Sequence, residues 1–122
     1  MISIKGIADT AVSLCCGRSN IESDDKRLVH WINEVLTEME GINAKIRENK
    51  GLSKNNKLKK IDNLDEHIFF EPELFSAICY SLAAKIMFEE EDIGLYFTYK
   101  EQGKFLIYML EKTISKGGIT DA

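Results

Sequence analysis

The sequence predicts an all-α domain: a small bundle of about four helices, with a long basic loop between the second and third. Three observations carry this. Apolar residues recur every three or four positions in several separate segments, the period of helices buried on one side. The one proline, Pro72, stands just before an apolar run, where a helix start accommodates its missing N–H. Between residues 48 and 63 every periodicity stops in a stretch rich in Lys, Asn, Gly and Ser.

The first element spans residues 3–16, where Ile4, Ile7, Ala8, Ala11, Val12 and Cys15 follow helical spacing and Gly17 marks a stop. After the loop "RSNIESDD", residues 24–47 give the clearest signal. Leu28, Ile32, Val35, Leu36, Met39, Ile42 and Ile46 build one stripe, Ser23 or Asp24 is placed to cap it, and Gly41 marks a bend or an end. In "HIFFEPELFSAICYSLAAKIMFEEED", "HIFF" reads as a short extended piece. Glu71, before a proline, is biased away from helix. Glu73 then sits in the first turn, well placed against the dipole. Leu74, Ile78, Leu82 and Ile86 follow at every fourth position, and small Ala77, Ser81, Ala83 and Ala84 permit close approach of a neighbour. A helix apolar over so much of its circumference belongs at the centre of the bundle. The last helix runs from about Asp92 to Ile114 on a stripe of Tyr96, Tyr99, Gly103, Leu106, Leu110 and Thr113. One domain, residues 1–116, thus includes the basic loop 48–63, and residues 117–122 form a flexible tail.

Composition bounds the function. The 122 residues carry a net charge of −4, 44% apolar and 30% charged residues, ordinary values for a globular domain. The opening "MISIKGIADTAVSLCC" lacks the basic start of a signal peptide. The apolar run Leu74 to Phe88 contains Lys85 and is too short for a membrane span. Three cysteines, Cys15, Cys16 and Cys79, without CxxC spacing read as reduced, buried small hydrophobes.

Motifs for chemistry are lacking. His30 and His67 stand outside any HExxH or HxH pattern, no GxSxG elbow occurs, and no glycine-rich phosphate loop precedes a helix. The expectation is a protein with no catalytic residues, no metal and no cofactor. Charge is more informative. Residues 45–60 carry seven Lys or Arg against one acid, whereas residues 62–73 carry Asp62, Asp65, Glu66, Glu71 and Glu73 and no cation. Lys50, Lys54, Lys57, Lys59 and Lys60 are therefore candidate partner-binding residues, for phosphate, for an acidic surface, or for head-to-tail pairing of copies; a solvated lysine-rich loop is the plain alternative. Glu89, Glu90, Glu91 and Asp92 read either as a negatively charged wall or as a solvated link, with Asp92 capping the last helix.

The order of elements, with "HWINEVLTEMEGI" at residues 30–42 and the proline-started "FEPELFSAICYSLAAKIM" at 70–87, resembles the small head–tail connector (adaptor) proteins of tailed bacteriophages. Where many members have a leucine before the proline, this chain has Phe70 and Glu71, and its middle segment is unusually lysine-rich. The resemblance implies a structural virion protein rather than an enzyme. Such proteins form a ring, commonly a dodecamer, under the portal protein. The ring extends the DNA channel and joins head to tail. The implied partners are the portal, neighbouring copies, the next tail component and double-stranded DNA passing non-specifically through the channel; no membrane is involved. The implied location is the head–tail interface of the virion, after assembly in the host cytoplasm. The lysine loop and a tail with Ile119, Thr120, Asp121 and Ala122 would dock partners, and Glu89 to Asp92 would line the lumen or an interface. The rival reading is a small helical regulator that binds protein or DNA through the loop, although no helix-turn-helix with an Arg-rich second helix is visible.

Overall fold

The computed structural model describes residues 1–53 and 59–115. Within these, four helices, α1 (Ile4–Leu14), α2 (Arg27–Asn49), α3 (Phe75–Glu89) and α4 (Ile93–Ser115), form the bundle that the sequence predicts. Two short strands, β1 (Ile2–Ser3) and β2 (His67–Ile68), pair antiparallel, with Ile2 opposite Ile68 and Ser3 opposite His67. The first half of the "HIFF" piece, His67–Ile68, is therefore extended, and it draws the N-terminus onto the bundle.

Each helix boundary has a local cause. Ser3 caps α1: its Oγ accepts the Gly6 N–H at 3.1 Å. Past α1, Gly17 sits at φ +83°, in the left-handed region that glycine enters without penalty. α2 begins later than the sequence suggested, and neither Ser23 nor Asp24 caps it. Instead Asp25 Oδ1 accepts the Arg27 N–H at 2.8 Å. Gly41 does not end α2, which continues to Asn49. Buried Met39, Ile42, Asn43 and Ile46 anchor the helix on both sides of Gly41, which outweighs a propensity loss of about 1 kcal/mol. Pro72 opens a single 3₁₀ turn, Pro72–Leu74, that feeds α3, with Glu71 extended before it.

α3 is the axis of the molecule and packs against α1, α2 and α4. Its Ile78, Leu82, Ala83, Ile86 and Met87, with Leu74 just before it, have essentially no exposure. They meet Ile4, Ile7, Ala8 and Ala11 of α1, Cys15 just past it, and the full predicted stripe of α2 in one core. α4 crosses α3 closely at Gly103: a Cβ there would lie 3.0 Å from Ser81 Oγ and 3.6 Å from the Ala77 carbonyl oxygen. The small residues on α3 and the glycine on α4 thus fit each other, and the close packing offsets the helix cost of glycine. Tyr99 adds a polar pin, its hydroxyl donating to the Leu14 carbonyl.

The cysteines divide. Cys15 and Cys79 are buried, as expected; Cys16 is exposed, because it lies one position beyond the last buried turn of α1. All three are free thiols. Among the described residues, no helix is long and apolar enough to cross a membrane.

Candidate docking surfaces

The sequence leaves two charged regions open, and the fold treats them differently. The basic run partly closes on its own acidic neighbour. Glu71 is only 8% exposed. Its carboxylate accepts from Arg47 at 3.2 Å and from Lys50 Nζ at 2.9 Å, and its backbone N–H donates to Oδ1 of buried Asn43 at 2.9 Å. Lys50 also pairs with Glu73. Burial works to lower the Lys50 pKa, but the hydrogen bonds to Glu73 and Glu71 outweigh it, and the ammonium titrates above its ordinary value. Arg47 Nε further donates to the Ser53 carbonyl at 2.7 Å. Lys45 lies 3.8 Å from Glu111 of α4. Lys50 is therefore part of the scaffold as well as a candidate contact. Glu71, read from sequence as a helix-start residue, is also the buried anchor that ties the end of α2 to the start of α3.

The returning arm of the loop is tied down too. Asn33 Nδ2 donates to the Ile61 carbonyl at 3.0 Å, and the Ile61 N–H donates back to Asn33 Oδ1 at 2.9 Å, while the Ile61 side chain enters the core. Glu66 accepts the N–H groups of Asp62 and Asn63, which lowers its pKa. Lys59 and Lys60 remain exposed on this arm, the latter beside a shallow hollow with His30, Asn33 and Glu34. Lys54 and Lys57 lie outside the described residues, as do Ile119, Thr120, Asp121 and Ala122.

The acids at 89–92 form the corner between α3 and α4. Glu91 takes φ +60°, and the Asp92 N–H donates to the Met87 carbonyl at 2.9 Å, the hydrogen bond that closes a left-handed helix end. Asp92 then caps α4, its Oδ1 accepting the Leu95 N–H at 3.1 Å. Two of the acids face cations: Asp92 lies 3.6 Å from Arg18 in the α1–α2 connection, and Glu89 lies 3.9 Å from Arg27 at the start of α2. Asp92 thus caps α4, as the sequence allows, and Glu89, Glu90 and Glu91 lie exposed at the link between the two helices.

The feature that sequence reasoning missed is the outer face of α4. The predicted stripe, Tyr96, Tyr99, Gly103, Leu106, Leu110 and Thr113, does turn inward. Yet Ile93, Phe97, Phe105, Tyr108 and Met109 point to solvent, with Phe88 exposed at the adjoining corner. The signal was in the sequence: α4 is apolar on two opposite sides, and one partner helix covers only one of them. Beside this face, α2, α3 and α4 enclose a groove of about 430 Å³, floored by Met39, Ala84 and Ile107 and edged by Lys85, Lys100 and Lys104.

No family model, curated protein or solved structure matches the chain. Among the described residues, no group of His, Cys, Asp or Glu side chains converges to hold a metal ion. The arrangement is suited to contact: a tightly tied core that carries an apolar helix face, an exposed acidic corner and a basic arm.

Proposed function

We propose that the protein is a structural assembly subunit, a head–tail connector of a tailed bacteriophage that forms a ring under the portal and extends the DNA channel. One observation carries most weight: the outer face of α4, with Phe97, Phe105 and Tyr108 each more than half exposed, sits on a helix whose other face is already anchored. An apolar surface held so firmly is the kind that a permanent neighbour buries. The resemblance of residues 30–42 and 70–87 to connector sequences supplies the class of neighbour. In this reading α4 meets an adjoining subunit or the portal, Lys59 and Lys60 lead a basic arm towards an acidic partner surface, and Glu89 to Glu91 form a charged corner that repels DNA.

Electron microscopy of purified particles, or of portal complexes reconstituted with the protein, tests this. Density for a ring of this chain at the portal supports it, and particles free of the protein overturn it. Replacing Lys54, Lys57, Lys59 and Lys60 with Glu should lower particle yield while the isolated chain keeps its helical circular dichroism; unchanged yield would remove the loop from the contact.

A further inference from the structure

We propose that the free chain pairs with a second copy of itself through the outer faces of two antiparallel α4 helices related by a two-fold axis. This concerns the protein before it meets other components and does not rest on the connector reading.

The face has a self-complementary order. At 100° per residue, Ile93, Phe97, Glu101, Lys104, Tyr108 and Lys112 fall within an arc of about 100°, and all six are exposed. A two-fold interface uses the same patch on both copies, so whatever one residue meets must meet it in return. Let the axis pass level with Gln102 and Gly103. Phe97 then faces the partner's Tyr108, and Glu101 faces the partner's Lys104, each twice. Ile93 lies along the aliphatic stem of the partner's Lys112. Other registers are worse: sliding the helices by about one turn one way sets Glu101 against the partner's Glu101, and the other way sets Lys104 against the partner's Lys104. Within the chain, Lys104 lies 3.9 Å from Glu101, and Lys112 Nζ lies 5.1 Å from the Tyr108 ring centre.

The area is that of a small interface. Ile93, Phe97 and Tyr108 lie on the arc and Phe105 borders it; with large aromatic side chains at about 150–250 Å² each and roughly half exposed, these offer on the order of 350 Å² per copy and about 700 Å² across the pair. The stems of Glu101, Lys104 and Lys112 bring the pair to roughly 1,000 Å², the lower bound for a specific interface. The matched charges favour a second copy over an unrelated apolar partner, which would cover Glu101 and Lys104 without offering either an opposite charge across the seam. A two-fold pair is closed, so it opens before α4 serves any ring. A monomeric free chain would therefore overturn the pairing and leave the location in the particle untouched.

Sedimentation velocity on the full chain at micromolar concentration should give twice the 13.9 kDa chain mass. Phe97→Glu should return the single-chain mass with unchanged helical circular dichroism. Glu101→Lys alone and Lys104→Glu alone should each weaken the dimer at least tenfold, and the two together should restore it. A monomeric parent chain, a dimer indifferent to Phe97→Glu or to the single reversals, or a double reversal no tighter than the singles would each overturn the proposal.

Discussion

α3 and α4 look alike in sequence and end in opposite situations. Both carry apolar residues around most of the helix, and both contain small residues where the two cross. α3 is touched by three helices, and its Ile78, Leu82, Ile86 and Met87 are all buried; α4 is touched mainly by α3, and Gly103 is its one buried residue. The difference comes from position in the bundle rather than from composition. α3 packs against α1, α2 and α4, whereas α4 packs mainly against α3 and keeps one free side. An all-round apolar helix means a buried helix only where enough partners remain within the chain to cover it. Where they do not, the uncovered side predicts a contact with another molecule.

The sharpest way to break this comparison is to truncate both helices alike. Leu82→Ala removes a side chain with no exposure and should cost about 2–5 kcal/mol in urea unfolding of the isolated chain. Phe105→Ala, a larger deletion on α4, should cost under about 0.5 kcal/mol under conditions where the chain is monomeric. Equal costs would mean that the outer face of α4 is covered within the chain, and would remove the basis for reading it as an interface.

A second contrast separates the two charged regions. Glu71→Ala leaves Arg47 in a largely covered site without its carboxylate, although Ser53 still accepts from it and Glu73 still holds Lys50. The expected loss is about 1–3 kcal/mol, smaller for Glu71→Gln, which keeps an acceptor. Glu90→Ala, an exposed acid of the α3–α4 corner, should change stability by less than about 0.5 kcal/mol. Thermal unfolding monitored by circular dichroism distinguishes the two. A Glu90 effect as large as that of Glu71 would make the acidic corner a structural element.

The contrast between these regions also marks what the sequence could reveal. Periodicity located the four helices and the inward stripe of α4 that carries Gly103, because those depend on spacing along one helix. Pro72 located the start of α3 for a local steric reason. What spacing could not reveal was pairing between distant segments. Nothing local announces that Asn33 binds Ile61 across the loop, or that Glu71 reaches back to Arg47 and Lys50. The basic run beside an acidic run suggested an outside partner, while part of the answer is that the chain folds one onto the other. Gly41 misled for the converse reason: a local preference of about 1 kcal/mol yields to core contacts on both sides of it.

Within the acidic corner, backbone and charge can be pulled apart. Asp92→Ala should cost about 1 kcal/mol through loss of the α4 cap. Glu91→Gly should instead stabilise by about 0.5–1 kcal/mol, because glycine occupies φ +60° without the clash that a Cβ meets. Both remove one negative charge, so opposite signs would identify the backbone as the cause. Equal signs would point to repulsion or attraction among the four acids.

The smallest expected effect lies at the loop arm and is visible only through pH. Glu66 accepts the Asp62 N–H at 2.6 Å and the Asn63 N–H at 2.9 Å, and these two bonds hold its carboxyl pKa below the ordinary value. A group whose folded pKa is depressed favours the folded state above its unfolded pKa and loses that contribution as pH falls through the folded one. Glu66→Gln should therefore lower Tm slightly at neutral pH. The gap between the variant and the parent should close as acid protonates Glu66 in the parent chain. Melting curves at neutral pH and through the acid range would show this convergence. A gap that stays constant, or widens towards acid, would mean that Glu66 acts through packing against the arm rather than as a charged acceptor for it.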